Sequence, residues 1–217
     1  MGHSYLKAAD LPQVIPVFPL DEAILLPRGQ LPLNIFEPRY LNMVDDAMAG
    51  DRIIGMIQPQ GGPDRLPALA QVGCAGRITS YAETSDGRYV ITLSGICRFR
   101  IAAELPARTP YRQIRADFST FEADLKTPPE NPGFDREPFL LALRAYLNRR
   151  ALDIDWETAE GAPQEALINS LAMALPFERA EKQALIEAAT LEDRCRCLTA
   201  LMQIDAAGDD DEPTSMQ

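Results

Sequence analysis

The chain has 217 residues, 46% hydrophobic and 24% charged, an ordinary globular composition long enough for one large domain or two small ones. Its net charge is −11, from 32 acidic and 21 basic residues, which makes phosphate backbones and anionic membranes unfavourable partners. No run approaches the roughly 18 apolar residues of a membrane-spanning helix, and the N-terminus lacks the charged-then-apolar layout of a secretory signal, so a cytoplasmic protein is expected.

Residues 1–12 read as a flexible leader. From 13 onward VIPVFPL is apolar and β-branched, and its prolines, Pro16 and Pro19, suit an edge or a bulge better than a central strand. Pro27, Arg28 and Gly29 mark a turn before a second apolar run, LPLNIF. In EPRYLNMVDDAMAG, Tyr40, Met43, Val44 and Met48 recur at helical spacing, and Gly50 suits a C-terminal stop. RIIGMIQPQ reads as a strand and is followed by a Gly- and Pro-rich loop. Residues 72–105 are expected to hold three further strands with a tight turn at Asp86 and Gly87, and YRQIRADFSTFEAD one more. Short strands with a single early helix predict a small mixed β-barrel or sandwich over 13–126.

The polar, proline-rich stretch TPPENPGFD (127–135) reads as a linker. Beyond it the stripes Leu140, Leu143, Leu147 and Leu167, Leu171, Leu175 predict helices, as do Leu185 with Ile186 and Leu198 with Leu201 and Met202. Three or four helices over 136–206 form a compact bundle in this reading. Residues 207–217, which carry the run Asp209–Glu212, read as a disordered acidic tail. The expected class is α+β, a β-rich part followed by a helical one.

Catalytic chemistry finds little to work with. The sequence contains no GxxxxGK[ST] phosphate loop, and Gly61-Gly62 is followed by Pro63, which removes an N–H from any anion nest. His3 is the single histidine and zinc-type CxxC spacing is missing, so His-based triads and metal sites have no candidates. Of the three lysines, Lys126 falls in the linker region and Lys182 reads as lying on a solvated helix face, which leaves no convincing Ser–Lys dyad. The pairs Asp45–Asp46, Asp153 with Asp155, and Glu192–Asp193 diverge rather than converge on a cleft. Cys74 and Cys97 have apolar neighbours, and Cys195 and Cys197 point about 200° apart on a helix, so all four read as reduced structural residues. Neither an enzyme nor a bound cofactor or metal is expected.

One stretch is dense in unusual choices: Phe18-Pro19-Leu20, Leu26-Pro27, and Leu31-Pro-Leu-Asn-Ile-Phe-Glu-Pro-Arg-Tyr40. Prolines within apolar runs force extended backbone. On structural grounds alone Phe36 fills the core, Pro38 takes the first helical position, and Glu37 pairs with Arg39 or begins the helix.

FPL…LLPRGQLPLNIFEPRYLNMV resembles the opening of the N-terminal, substrate-engaging domain of Lon-type ATP-dependent proteases. SGICRFRI (94–101) resembles that family's second characteristic stretch, and NSLAMALPFERAEKQALIEAATLEDRCRCL its helical end with a Lys-Gln pair. The resemblance spans roughly residues 13–205. It implies a small PUA-like β-barrel followed by a C-terminal helical bundle, with Pro19, Leu20, Pro32, Glu37, Pro38, Arg39, Gly95, Arg98 and Phe99 as motif residues of structural weight. It also implies recognition of unfolded or tagged protein segments, and the expectation is a stand-alone relative without the ATPase and protease domains. An adaptor docking on a single partner complex is the second reading. Recognition needs exposed apolar side chains ringed by polar groups, or an open strand edge. The candidates are Leu31, Leu33, Phe36 and Tyr40; if these are core, the surface shifts to the 59–70 loop with Leu66 and Leu69.

Overall fold

The computed structural model describes residues 5–61, 67–106, 108–126 and 135–207; Leu66, most of the 127–135 linker and the tail beyond Ala207 lie outside the described residues. The strands are β1 (Val14–Pro19), β2 (Gln30–Ile35), β3 (Ile53–Ile57), β4 (Pro59–Gln60), β5 (Ala68–Leu69), β6 (Val72–Glu83), β7 (Tyr89–Glu104) and β8 (Arg112–Asp117). Helix α1 (Pro38–Ala49) interrupts them, a 3-10 segment (Ser119–Leu125) follows them, and α2 (Arg136–Arg150), α3 (Trp156–Gly161), α4 (Gln164–Ala174), α5 (Arg179–Glu187) and α6 (Leu191–Ala207) complete the α+β chain.

The chain forms two compact units, and the division does not fall at one point in the sequence. The first gathers the described residues up to 126 with Asn169–Glu187; the second gathers 135–168 with 188–207. The stretch 136–206 is thus shared between them.

In the first unit a six-stranded mixed sheet runs in the order β2-β7-β6-β3-β1-β8, with β8 also pairing to the far end of β7. β1 and β3 are parallel and the other pairs antiparallel. β1 is therefore an interior strand, which corrects the edge position expected from its prolines. β8 pairs Val14 to Val17 and β3 pairs Val17 to Pro19, so each proline has a partner strand on one side only. A missing N–H is tolerated where no neighbour needs it.

Residues 72–105 hold two long strands rather than the expected three. β6 and β7 pair through register shifts at Ala75/Gly76 and Ile78/Ser80, so what reads as breaks are bulges within continuous strands. The expected turn is present: Gly87 has φ +77 and its N–H donates to the Thr84 carbonyl. On α1, Tyr40, Met43, Val44 and Ala47 form the buried stripe, with Pro38 in the first turn and Gly50 as the cap. Residues 5–12 fall in the stretch expected as a leader; here Ala8 donates to Glu122 and Leu11 is buried.

Phe99 is wholly buried in the sheet core with Ile15, Leu25, Ile54, Met56 and Leu93. Each such side chain contributes about 1.5–3 kcal/mol by leaving water. Gly95 admits the close approach of the Leu26 backbone, and the Gly95 carbonyl accepts from Arg28 N–H at 2.8 Å.

Residues 169–187 are tied to this core by polar side chains. Asn169 donates to the Pro27 carbonyl at 3.1 Å and Gln183 to the Val72 carbonyl at 3.2 Å. Arg98 donates to the Ile186 carbonyl at 3.0 Å, and Lys182 to the Met173 carbonyl at 2.6 Å. Lys182 is 3% exposed, which corrects the solvated face expected for it. Burial lowers its pKa against the opposing field of Glu22. Its ammonium lies at the C-terminal end of α4, where the helix dipole favours a cation.

The second unit is built on α2 and α6. Arg150 pairs with Asp205 across them, and hydrogen bonding from Arg150 lowers the Asp205 pKa. α3 was not foreseen; Asp155 caps it, accepting from the Thr158 N–H at 3.1 Å. Arg136 closes its other end on the Ala159 and Ala162 carbonyls. The four cysteines are thiols rather than disulfides, and Cys74 and Cys97 are buried. Burial pushes the Cys97 thiol up to about 12, so it stays a neutral hydrophobe.

Candidate recognition surface

β2 pairs with β7 alone, so among the described residues its other edge is unpaired. Its sequence, QLPLNI, alternates between two faces. Leu31, Leu33 and Ile35 stand opposite Leu93, Ile91 and Tyr89, on the side where Leu93 and Ile91 are buried. Leu31 and Leu33 are half-buried there. Gln30, Pro32 and Asn34 take the other face, opposite Ser94, Thr92 and Val90.

The strand ends at Phe36. A residue expected on structural grounds to fill the core is instead 62% exposed. The reason lies in the alternation: Ile35 takes the inward position, and Pro38 then starts α1 before the chain can turn Phe36 inward. The Arg88 guanidinium sits over the Phe36 ring, 5.8 Å from its centroid, and Arg88 pairs with Asp86 at 2.9 Å. Val90 is exposed beside it on β7. Glu37 and Arg39 pair at 2.8 Å on the other flank, as their spacing predicts. The result is an apolar side chain ringed by charges at the end of an open strand edge.

Tyr40 does not belong to this surface. It is 7% exposed, packs on Phe18 with ring centroids 4.3 Å apart, and carries Arg39 over its ring at 4.5 Å. Burial raises its pKa. Leu69 is likewise buried, at 7%, where β5 pairs with Pro59; Leu66 lies outside the described residues. Of the five candidates among the described residues, Phe36 is the one strongly exposed side chain, with Leu31 and Leu33 exposed in part.

Reasoning from sequence missed Val90, Arg88 and the pair Tyr81–Tyr89. The two tyrosine rings lie 5.1 Å apart edge to face, and hydrogen bonds to Asp45 and Tyr81 raise the Tyr89 pKa. The signal for Val90 was the alternation along the first half of β7, which places it opposite Asn34 on the outward face.

Other motif residues make contacts within the fold. Leu20 donates its N–H to the Ile57 carbonyl, continuing the pairing of Pro19 with Ile57. Arg98 pairs with Asp124 at 2.8 Å and stacks over Phe121 at 4.3 Å. Among the described residues no cluster of three His, Cys, Asp or Glu side chains could hold a metal, and no helix is long and apolar enough to cross a membrane.

Comparison with known proteins agrees with this architecture. The chain is similar to Lon protease 2 of Myxococcus xanthus, 26% identical over 91% of this chain but 24% of that protein. It is 27% identical to the Lon protease of Syntrophus aciditrophicus over 90% of this chain and 24% of that one. The chain thus spans about a quarter of the length of these relatives. In fold it is similar to the crystal structure of a Lon N-terminal domain protein from Xanthomonas campestris, with TM-score 0.59 and 23% identity over 86% of this chain and 97% of that one. The N-terminal domain of the Mycobacterium avium complex Lon protease matches with TM-score 0.59 and 17% identity, covering 88% of this chain and 98% of that chain. The family model for the ATP-dependent protease La (LON) substrate-binding domain matches residues 14–203, and the chain belongs to that family.

Proposed function

We propose that this chain is a non-catalytic module that captures unfolded or tagged protein segments, with Phe36 and the open edge of β2 as its contact surface. The carrying observation is the exposure of Phe36 at the end of a strand that, among the described residues, lacks a second neighbour. An extended client segment adds main-chain hydrogen bonds along such an edge, and an apolar side chain beside it supplies the pocketless anchor that a sequence-tolerant binder needs. Membership in a substrate-binding domain family supports the same reading. The acidic surface disfavours nucleic acid and anionic lipid as partners.

The test is capture of a permanently unfolded client, such as reduced and carboxymethylated α-lactalbumin, by the wild type and by Phe36→Ser. The expected result is roughly tenfold weaker binding, the loss of one exposed aromatic anchor, with an unchanged melting temperature. Equal affinity of the two proteins, or binding confined to one stoichiometric partner from cell extract, would remove this reading in favour of an adaptor.

A further inference from the structure

Away from Phe36, a pocket of about 620 Å³ lies between the corner that links β3 to β4 and one face of α5. Its helical wall is read directly from the sequence: Ala180, Gln183, Ala184 and Glu187 are spaced i, i+3, i+4, i+7, a single stripe. The two alanines leave the groove open. Gln183 is buried and held by the Val72 carbonyl and the Glu187 carboxylate through its Nε2, yet its Oε1 has no hydrogen-bond partner among the described residues.

Gln58 lines the opposite wall and is the more telling residue. It is 2% exposed, and neither its Nε2 nor its Oε1 finds a partner among the described residues. A buried amide left unsatisfied loses its hydration with nothing in return, so native proteins rarely keep one without an occupant for it. A carboxamide offers one donor face and one acceptor face side by side, and its natural complement is another amide. The pocket mouth is acidic. Glu22, Glu178 and Glu187 line it, and its one cation, Arg179, is engaged by Asp21 outside the lining, Nε to Oδ1 at 2.5 Å.

We propose that this pocket binds an extended peptide segment, its main-chain amide held by Gln58 and an adjacent Lys or Arg side chain held by the glutamates at the mouth. The main-chain amide sought by Gln58 is open in an extended segment and already bonded in a helix, and the charge complement selects a basic segment. This site is separate from the Phe36 surface and does not depend on that reading.

The experiment is an NMR titration of the ¹⁵N-labelled full chain with acetyl-Ala-Lys-Ala-Lys-amide, followed at the Gln58 side-chain amide signals. Saturable shifts of those signals are expected, with acetyl-Ala-Glu-Ala-Glu-amide binding at least roughly tenfold more weakly. Gln58→Leu, close in volume, should weaken the lysine peptide by about tenfold, as the loss of two neutral hydrogen bonds requires. Ala184 is exposed, so Ala184→Arg keeps the fold while it fills the groove and opposes the charge, and should abolish binding. Phe36→Ser should bind this peptide like the wild type. Gln58 signals unmoved by peptide, as a trapped water alone would leave them, overturn the proposal. So does unchanged affinity in Gln58→Leu and Ala184→Arg, or loss of binding in Phe36→Ser alone.

Discussion

Arg98 on β7 and Asp124 in the following 3-10 segment meet in a two-pronged contact, Nε to Oδ2 at 2.8 Å and Nη2 to Oδ1 at 2.9 Å. The Arg98 backbone N–H reaches the same carboxylate at 3.1 Å, and the third guanidinium nitrogen closes the last turn of α5 on the Ile186 carbonyl. One side chain therefore joins a strand, a 3-10 turn and a helix that lies more than eighty residues further along the chain. Removing one member of a buried pair leaves the other charge uncompensated, at a cost of about 3–5 kcal/mol. Asp124→Ala is expected to lose that much stability in urea unfolding, and a loss below about 1 kcal/mol would mean solvent reaches the guanidinium freely.

Leu69 and Phe36 should behave as opposites. Serine in place of the buried Leu69 opens a cavity and strands a hydroxyl, for an expected loss of about 2–5 kcal/mol. Leu69, offered by the sequence as part of an alternative binding surface in the 59–70 loop, is therefore expected to act as a core residue. Serine at exposed Phe36 should stay within roughly 0.5 kcal/mol of the wild type. Thermal melts of the two variants side by side decide the matter.

Gly95 is constrained by backbone rather than by its own dihedral angles. A Cβ there would stand 2.0 Å from the Leu26 carbonyl oxygen, a contact no side-chain movement relieves. Gly95→Ala should cost about 1–3 kcal/mol or more, since the strand must shift away from the Leu26 turn. Chemical denaturation measures it; a variant as stable as the wild type would show that the two segments separate easily.

Tyr111 gives a test in alkali. Burial, and then its 2.6 Å hydrogen bond to Asp46, push its hydroxyl up to about 12. The unfolded group ionises near 10, so the folded chain holds the proton more tightly between those values. Its stabilising contribution is complete below pH 10 and disappears as pH rises toward 12. Tyr111→Phe should flatten that part of the stability profile in urea titrations between pH 9 and pH 11, and an unchanged slope would place the titration elsewhere.

The elements legible in the sequence were those fixed by local chemistry. Pro38, the Tyr40–Val44 stripe and Gly50 delimit α1 by themselves, and Asp86-Gly87 gives its turn. Less legible was anything decided by which strand lies beside which. Pro16 and Pro19 signal an edge, but staggered neighbours let them sit inside the sheet. Lys182 looks solvated by composition alone, and only the carbonyl end of α4 explains its burial. For the recognition surface, the segment around Phe36 stood out in sequence, yet Tyr40 and Phe36 could not be sorted into inside and outside without the strand's inward parity at Ile35. The Gln58 amide, without a hydrogen-bond partner among the described residues, has no sequence signal at all, because only the packed fold shows which polar atoms go unpaired.

Pro32 stands at the centre of the β2 edge, opposite Thr92. A proline cannot donate, so with Leu31 and Leu33 bonded to β7 the groups turned outward belong to Gln30, Pro32 and Asn34: three carbonyls but two N–H. Two copies laid edge to edge with Pro32 opposite Pro32 would each leave a carbonyl without a donor at that point. A foreign strand can slide by two residues to place its own donors there, whereas a like strand brings the same deficit. The molecule can thus keep an exposed aromatic ring and an open strand edge at high concentration without seeding fibres of itself.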